Sequence, residues 1–270
     1  MVKKIVKAAV IGAAGRMGQR IIELIAQTEG ITLTGAVEIP GHPLLGKEMQ
    51  STGLALPLTD DVKSILPETD VIIDFTTVGS TLLNIGAIAA AKKAVVIGTT
   101  GFSPSETKEL GKKMEGVRCV LSPNMSIGVN LMFKIVGTIA QILKHDFDVE
   151  ITETHHRMKK DAPSGTALRL AQIVAERLEK ELGEVGVFGR KGLVGERKSQ
   201  EIGVHALRAG DIVGEHTVLF AGVGERIEIT HRAHSRDTFA SGAIKAALWI
   251  VDQPPGIYSM EDVLAFQERC

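Results

Sequence analysis

The stretch KIVKAAVIGAAGRMGQRIIELIAQT, Lys4–Thr28, decides the fold. Lys4 to Ile11 is apolar and β-branched, as in a strand, and from Arg16 to Thr28 apolar residues recur at helical spacing. Between them stand Gly12, Gly15 and Gly18. A glycine turn between strand and helix gives a tight reversal, close backbone approach to a pyrophosphate, and amides at a helix N-terminus facing its charge. Ala14 holds the place where the common G-x-G-x-x-G pattern has its second glycine. ITLTGAVE, Ile31–Glu38, reads as a second strand, and Glu38 lies twenty residues after Gly18, where an acid can hydrogen-bond the adenosine ribose. The combination points to a dinucleotide-binding βαβ unit.

Outward from this unit the pattern repeats. After a Pro/Gly-rich loop through Pro57, strands are expected at Asp70–Thr76, Ala94–Thr100 and Val117–Ser122, with helices at Ser80–Lys92 and Pro104–Met114 between them. Nearly continuous apolar strands alternating with helices imply a parallel sheet covered on both faces. Two strand ends carry small polar turns, DFTT at Asp74–Thr77 and GTTGF at Gly98–Phe102, and ligands of open parallel sheets sit beyond such ends. Ordinary βα turns with a threonine cap are the simpler alternative for each.

Past Leu121 the pattern changes. Ile127–Lys144 is apolar almost all round, as a buried helix joining two halves would be. A strand is expected at Phe147–Thr154, a helix at Ser164–Leu182 and an exposed loop at Gly183–Ser199. From Glu201 to Ala233, strands around Gly210, Gly222 and Gly224 look antiparallel, giving an α+β second half. Asp237–Gly256 returns to a helix, closed by Pro254 and Pro255. The expected fold is thus α/β: a Rossmann-type parallel-sheet domain (1–126), an α+β domain with a mostly antiparallel open sheet (127–236), and C-terminal helices (237–270).

Composition narrows the function. A 270-residue chain of net charge −1 with 4% aromatic residues offers no basic field or stacking platform for nucleic acid. The N-terminal run is too short for a signal peptide, and no apolar run approaches the ~18 residues of a membrane span. Cys119 and Cys270 read as two unpaired thiols of a reducing compartment, hence a cytoplasmic protein.

The chemistry is concentrated in ETHHRMKKDAPSGTA, Glu153–Ala167. Adjacent histidines on a strand point to opposite faces, so His155 and His156 are poor partners for one metal, and no metal site is expected. A basic loop followed by a helix capped at Ser164 is the plain reading. The functional one is capture of an anion by Lys159, a histidine and the amides of Ser164, Gly165 and Thr166, with a histidine as proton donor.

Together GAAGRMG, DFTT, GTTGF, SPNMSIGVN, THHRMKKDAPSGTA, RAGDIVGEHTVLFAG and ERIEITHRAHSRDTFASGA resemble the dihydrodipicolinate reductase family of lysine biosynthesis, over essentially the whole chain. That resemblance implies reduction of a cyclic imine bearing two carboxylates by NADH or NADPH. It implies His155 as proton donor, Lys159 as catalytic and substrate-binding lysine, and His156, Gly165 and Thr166 as carboxylate contacts. It places the cofactor on Gly12, Ala13, Ala14, Gly15, Arg16, Met17, Glu38, Gly98, Thr99, Thr100, Ser122, Pro123, Asn124 and Met125. A homotetramer built by the second domain, and closure of the domains on binding, are also expected. Ile39 and Pro40 stand after Glu38 where many family members have an arginine for the 2′-phosphate, so NADH is expected to be preferred over NADPH. Sugar or homoserine-type dehydrogenases would not need the His-His-x-x-Lys run beside SGTA, and a dinucleotide-sensing regulator would want a basic or helix-turn-helix segment. The roles of His205, His216, His231 and His234 stay open.

Overall fold

The computed structural model describes residues 5–48 and 56–265. In chain order the first half forms β1 (Val6–Ile11), α1 (Arg16–Ile25), β2 (Ile31–Val37), β3 (Leu58–Thr59), α2 (Val62–Ile65), β4 (Val71–Asp74), α3 (Val78–Ala90), β5 (Ala94–Ile97), α4 (Pro104–Lys113) and β6 (Arg118–Leu121). Next come α5 (Ile127–Leu143), β7 (Asp148–His155), α6 (Gly165–Arg177), α7 (Leu182–Val185), β8 (Gly186–Val187), β9 (Ile202–Arg208), β10 (Gly214–Ala221) and β11 (Arg226–Ala233). The chain ends in α8 (Asp237–Ile250), β12 (Gly256–Tyr258) and α9 (Met260–Val263). Two compact units result, one of residues 1–127 with 236–270 and one of residues 128–235.

The first unit is a seven-stranded parallel sheet in the order β12-β6-β5-β4-β1-β2-β3. Its central strands β4 and β5 are buried at every position, as expected for strands covered on both faces. On one face α1 and α8 pack Ile21, Ile22 and Ile25 with Ala240, Ala243 and Ile244 over Val10, Ile73 and Val96. On the other, Ile85, Ile88 and Leu110 cover Ile72, Val95 and Ile97. α4 starts at Pro104 behind a reciprocal cap, with Ser103 Oγ on the Glu106 amide and Glu106 on the Ser103 amide. An Arg20–Asp237 ion pair ties α1 to α8. The C-terminal segment is not all helix: α8 ends at Ile250, and Gly256–Tyr258 adds a parallel edge strand beside β6.

The second unit is a five-stranded sheet in the order β11-β10-β7-β9-β8. It is mixed: β10 pairs antiparallel with β7 and β11, and β9 runs parallel to both β7 and β8. β7 inserts between β9 and β10, a nonlocal pairing that the glycine turns around those strands do not encode. Its inner face carries Val149, Ile151, Ile202, Val204, Val218 and Phe220 under α5 and α6.

The helix α5 is less enclosed than its composition suggests. Val129, Met132, Phe133, Val136 and Ala140 enter the core, whereas Ile127, Leu131, Ile135 and Ile142 are exposed. With its following turn, Ile127–Asp146 has mean hydropathy 1.3 and is long and apolar enough to cross a membrane by composition, contrary to the sequence expectation; 39% of that window is buried inside the protein. The loop expected at Gly183–Ser199 contains α7 and β8. Arg190 and Arg197 bind it to the outer sheet face, closing on the Glu150 carboxylate from both sides at 2.9–3.0 Å. Across from Glu150 on β9 is Gly203, where a Cβ would lie 1.8 Å from that carboxylate and would displace it from its present place.

Candidate active site

In the first unit the glycine turn is set by close backbone contact. Gly12 has φ +77°, and a Cβ there would lie 2.9 Å from the Phe75 carbonyl oxygen. At Gly18 a Cβ would lie 2.1 Å from the Gly12 carbonyl oxygen, so this glycine lets α1 start directly beneath the turn. The first helical residues, Arg16 and Met17, therefore present their amides at the end of β1. Ala13 is fully buried, with its amide on the Val37 carbonyl at 3.1 Å.

Glu38 closes this loop from the end of β2. One carboxylate oxygen accepts the Ala14 amide and the other the Ile39 amide, both at 3.0 Å. Glu38, Gly12, Ile39, Pro40, Thr76, Thr77, Ser80 and Asn84 line a cavity of about 310 Å³, next to the glycine turn. A cradle that a Cβ would fill, helix amides, a carboxylate and this cavity fit the phosphate and adenosine parts of a dinucleotide.

The adjoining strand ends, DFTT and GTTGF, are organised by the Asp74 carboxylate. Its buried carboxylate accepts the Thr76 hydroxyl at 2.6 Å and faces the Thr99 hydroxyl at 3.4 Å; Thr99 in turn accepts the Thr76 amide and the Thr81 hydroxyl, each at 3.0 Å. Burial pushes the Asp74 pKa above the usual carboxylate range, against the three hydroxyls. Gly98 is covered by the Phe75 ring, and Thr100 is exposed. Thr99 thus spends its side chain on the turn. At the end of β6, Ser122 Oγ donates to the Asn124 carbonyl at 2.9 Å, Asn124 Oδ1 accepts the Ser126 amide at 2.8 Å, and Pro123 is exposed. The Met125 side chain belongs to the apolar core, and its carbonyl is packed against Gly242.

In the second unit the inner row of β7 turns from apolar to ionisable: Val149 and Ile151, then Glu153 and His155. The Glu153 side chain is wholly buried and all its partners are close. Oε2 meets His155 Nδ1 at 2.5 Å and Arg208 Nη1 at 2.9 Å; Oε1 accepts Arg208 Nη2 and the Ser164 amide, both at 3.0 Å. Burial raises the Glu153 pKa, but the Arg208 guanidinium, the His155 ring and the Ser164 amide outweigh it and hold the carboxyl below its ordinary range. Burial likewise dominates at His155 and lowers its pKa, with Lys159 and Arg208 adding to the effect and Glu153 opposing it.

Across the sheet from Glu153 lies His216 of β10, and across from that His231 of β11. His216 Nε2 faces Ser164 Oγ at 3.1 Å, and its ring stands edge-on to His155 with centroids 5.2 Å apart. Burial first, then the neighbouring His155, pushes the His216 pKa down to about 3, so this ring is neutral.

Lys159 Nζ is held by both carboxylate oxygens of Asp161 at 2.9 Å. α6 begins at Gly165, with Thr166 in its first turn. A Cβ on Gly165 would have open space around it. His156 is partly exposed, its amide on the Ile212 carbonyl at 2.8 Å. The structure brings His155, Lys159, His156, Gly165 and Thr166 to one end of the sheet. Ser164 is different from expectation. It is buried, its amide is given to Glu153, and its hydroxyl caps the Ala167 amide and meets His216, so it holds α6 in place instead of offering its amide to a ligand. Glu153, Arg208 and His216 escaped sequence reasoning; only the ETHH and RAGDIVGEH segments hinted at them. Among the described residues no group of three metal-ligating side chains could hold an ion.

Two family models match: one described as dihydrodipicolinate reductase, N-terminus, over residues 6–125, and one described as dihydrodipicolinate reductase, C-terminus, over residues 128–264. The 4-hydroxy-tetrahydrodipicolinate reductase of Syntrophobacter fumaroxidans is 53% identical over 266 residues, covering 97% of this chain and 100% of the relative. That of Syntrophus aciditrophicus is 53% identical over 265 residues, covering 97% and 99%. A solved dihydrodipicolinate reductase from Paenisporosarcina sp. TG-14, bound to dipicolinate, shares the fold with TM-score 0.73 and 24% identity, over 94% of this chain and 97% of its own.

Proposed function

The chain belongs to the dihydrodipicolinate reductase family, and from that premise we propose that it reduces 4-hydroxy-tetrahydrodipicolinate to tetrahydrodipicolinate in lysine biosynthesis. It is an NAD(P)H-dependent oxidoreductase. The observation that carries the substrate reading is that His155 and the start of α6 are held on one buried carboxylate, Glu153, with Lys159 in the loop between them.

A nicotinamide cofactor, when bound, would supply the hydride for a conjugated carbon–nitrogen system. The residues of the second unit handle the charge that results. Gly165 and Thr166 offer amides at a helix start to one substrate carboxylate, and His156 and Lys159 attract the other. Lys159 reaches its anion by exchanging the Asp161 carboxylate that holds it at 2.9 Å. His155 gives up a proton as electron density builds toward the ring nitrogen. To do so it must first carry a second proton, which burial disfavours. A substrate with two carboxylates brings negative charge beside the imidazole and works against that burial.

On the cofactor side, Gly12 to Met17, Glu38, the Gly98–Thr100 turn and the Ser122–Asn124 backbone hold the dinucleotide, and NADH is the preferred form. The assembly is a homotetramer, supported by the exposed outer face of the edge strand β11. The deciding assay follows NADH oxidation at the ~340 nm absorbance of the reduced nicotinamide, with substrate generated in situ by the preceding synthase. Substrate-dependent oxidation is expected; no oxidation with either cofactor refutes the reading.

A further inference from the structure

We propose that Glu153, clamped by Arg208, is the positioning residue that fixes the tautomer of His155 and ties its orientation to the start of α6. The proposal rests on His155 as the proton donor.

The geometry begins with saturation. A carboxylate has about four acceptor sites, and Glu153 uses four: two for the Arg208 guanidinium, one for His155 Nδ1 and one for the Ser164 amide. Its side chain is fully buried, so water does not compete. An ionised carboxylate accepts only, so the contact at 2.5 Å places a proton on His155 Nδ1. Nε2 is then the nitrogen that takes up and releases the catalytic proton. It lies against Gly214, where a Cβ would sit 3.0 Å from it, so the glycine leaves the outer edge of the ring uncrowded.

The same carboxylate governs the substrate cradle. Its other oxygen holds the Ser164 amide, and Ser164 caps α6, whose first turn contains Gly165 and Thr166. Proton donor and anion cradle are therefore fixed to one residue on one strand, with Arg208 on the parallel neighbour β9 preventing its rotation. Arg208 also donates to the Asp161 carbonyl at 2.6 Å, beside the carboxylate that holds Lys159. A rigid orienting partner of this kind is worth roughly 10–100-fold in activity where it serves a metal-bound histidine, and the same scale is expected here.

The charged and titratable groups facing His155 are Glu153 on its own strand, Arg208 on β9, His216 on β10, and Lys159 in the following loop. Of these only Glu153 favours the imidazolium. Replacing it by the neutral Glu153→Gln should move the high-pH limb of the kcat profile, where His155 loses its proton, to lower pH by about one unit. Arg208→Gln removes an opposing cation and should move the limb the other way. A role confined to folding would lower the melting temperature but leave the limb where it was.

The test combines that profile with histidine-selective ¹⁵N NMR of the wild-type protein, the His155 signals being identified by their loss in His155→Gln. Expected are a deshielded Nδ1–H proton and an unprotonated Nε2 in the neutral ring, with kcat in Glu153→Gln reduced about 10–100-fold at little cost in cofactor KM. A neutral His155 protonated at Nε2 overturns the proposal even if neither variant folds, and so does an unmoved limb in a folded Glu153→Gln. Near-normal turnover by His155→Gln instead removes His155 from the donor role, while the NMR still reports whether Glu153 fixes its tautomer.

Discussion

Replacing Gly18 by alanine tests how the cofactor loop is built. The added methyl would lie 2.1 Å from the Gly12 carbonyl oxygen and 2.8 Å from Ala13 Cα, both backbone atoms that cannot swing aside. Restoring an ordinary contact of about 3.2 Å requires the start of α1 and the glycine turn to separate by about 1 Å, a strain on the order of 1–3 kcal/mol. The loop that would receive a pyrophosphate moves by the same amount, past the hydrogen-bond range of its amides. Gly15→Ala meets the same carbonyl at 3.1 Å and needs a shift of only a few tenths of an ångström. NADH KM should therefore rise at least about 10-fold in Gly18→Ala, the equivalent of one lost hydrogen bond of about 1.4 kcal/mol, and clearly less in Gly15→Ala. Melting temperature and NADH fluorescence titration separate strain from binding. Equal effects of the two substitutions, or an unchanged KM in Gly18→Ala, would refute the packing argument.

On the proposed roles of its ammonium, holding a carboxylate and offsetting developing charge, Lys159→Ala should lower kcat and raise substrate KM together; steady-state kinetics showing a change in KM alone would make it a binding residue only. Glu150, its pKa held down at about 2 by Arg190, His205 and Arg197 in spite of burial, stabilises the fold above pH 4.5, its unperturbed value, and loses that contribution as pH falls through about 2. The shift corresponds to at most about 3 kcal/mol, so denaturant melts of wild type and Glu150→Gln should differ by up to that amount at neutral pH and converge in strong acid. Burial pushes the Cys119 thiol up to about 12, so thiol reagents should modify it only after unfolding, as mass spectrometry of labelled peptides would read out. For the cofactor, kcat/KM with NADH should exceed that with NADPH, and Ile39→Arg, at the rim of the Glu38 cavity, should improve NADPH selectively; an NADPH value several-fold above NADH in the wild type would end the preference.

The first unit was legible because its signals are local. A β-branched run, a glycine turn and an amphipathic helix each occupy consecutive residues, and the parallel sheet follows from their alternation. β12 was not legible: three residues after a double proline, Gly256–Tyr258, become a strand only because β6 offers an unpaired edge. In the second unit, turn glycines marked where strands end but not which strands pair. The β7–β9 pairing joins Val149 to Ile202, and the sequence carries no record of that distance. The site divides in the same way. His155, Lys159, Gly165 and Thr166 share one short segment, whereas Arg208 reaches Glu153 across 55 residues and His216 reaches Ser164 across 52. The partner of the Ser164 amide was not legible either, because a motif names residues without saying which atoms face the core.

The placement of the ionisable cluster follows from strand geometry. Side chains at alternate positions share a face, so β7 must send Val149, Ile151, Glu153 and His155 to the same side, and β10 must do so with Phe220, Val218, His216 and Gly214. The apolar members of these rows build the core under α5 and α6, and the row cannot turn polar in the middle without stranding a charge there. It turns polar at the end where α6 begins, and there Arg208 and the Ser164 amide are available to satisfy Glu153. Losing either partner would leave a buried carboxylate short of donors, at a cost of several kcal/mol for an unpaired charge. The stability of the fold and the placement of the His155 ring therefore depend on the same four hydrogen bonds. Substitutions at Arg208 should accordingly lower both melting temperature and kcat, and a variant that lost one without the other would show that the two can be separated.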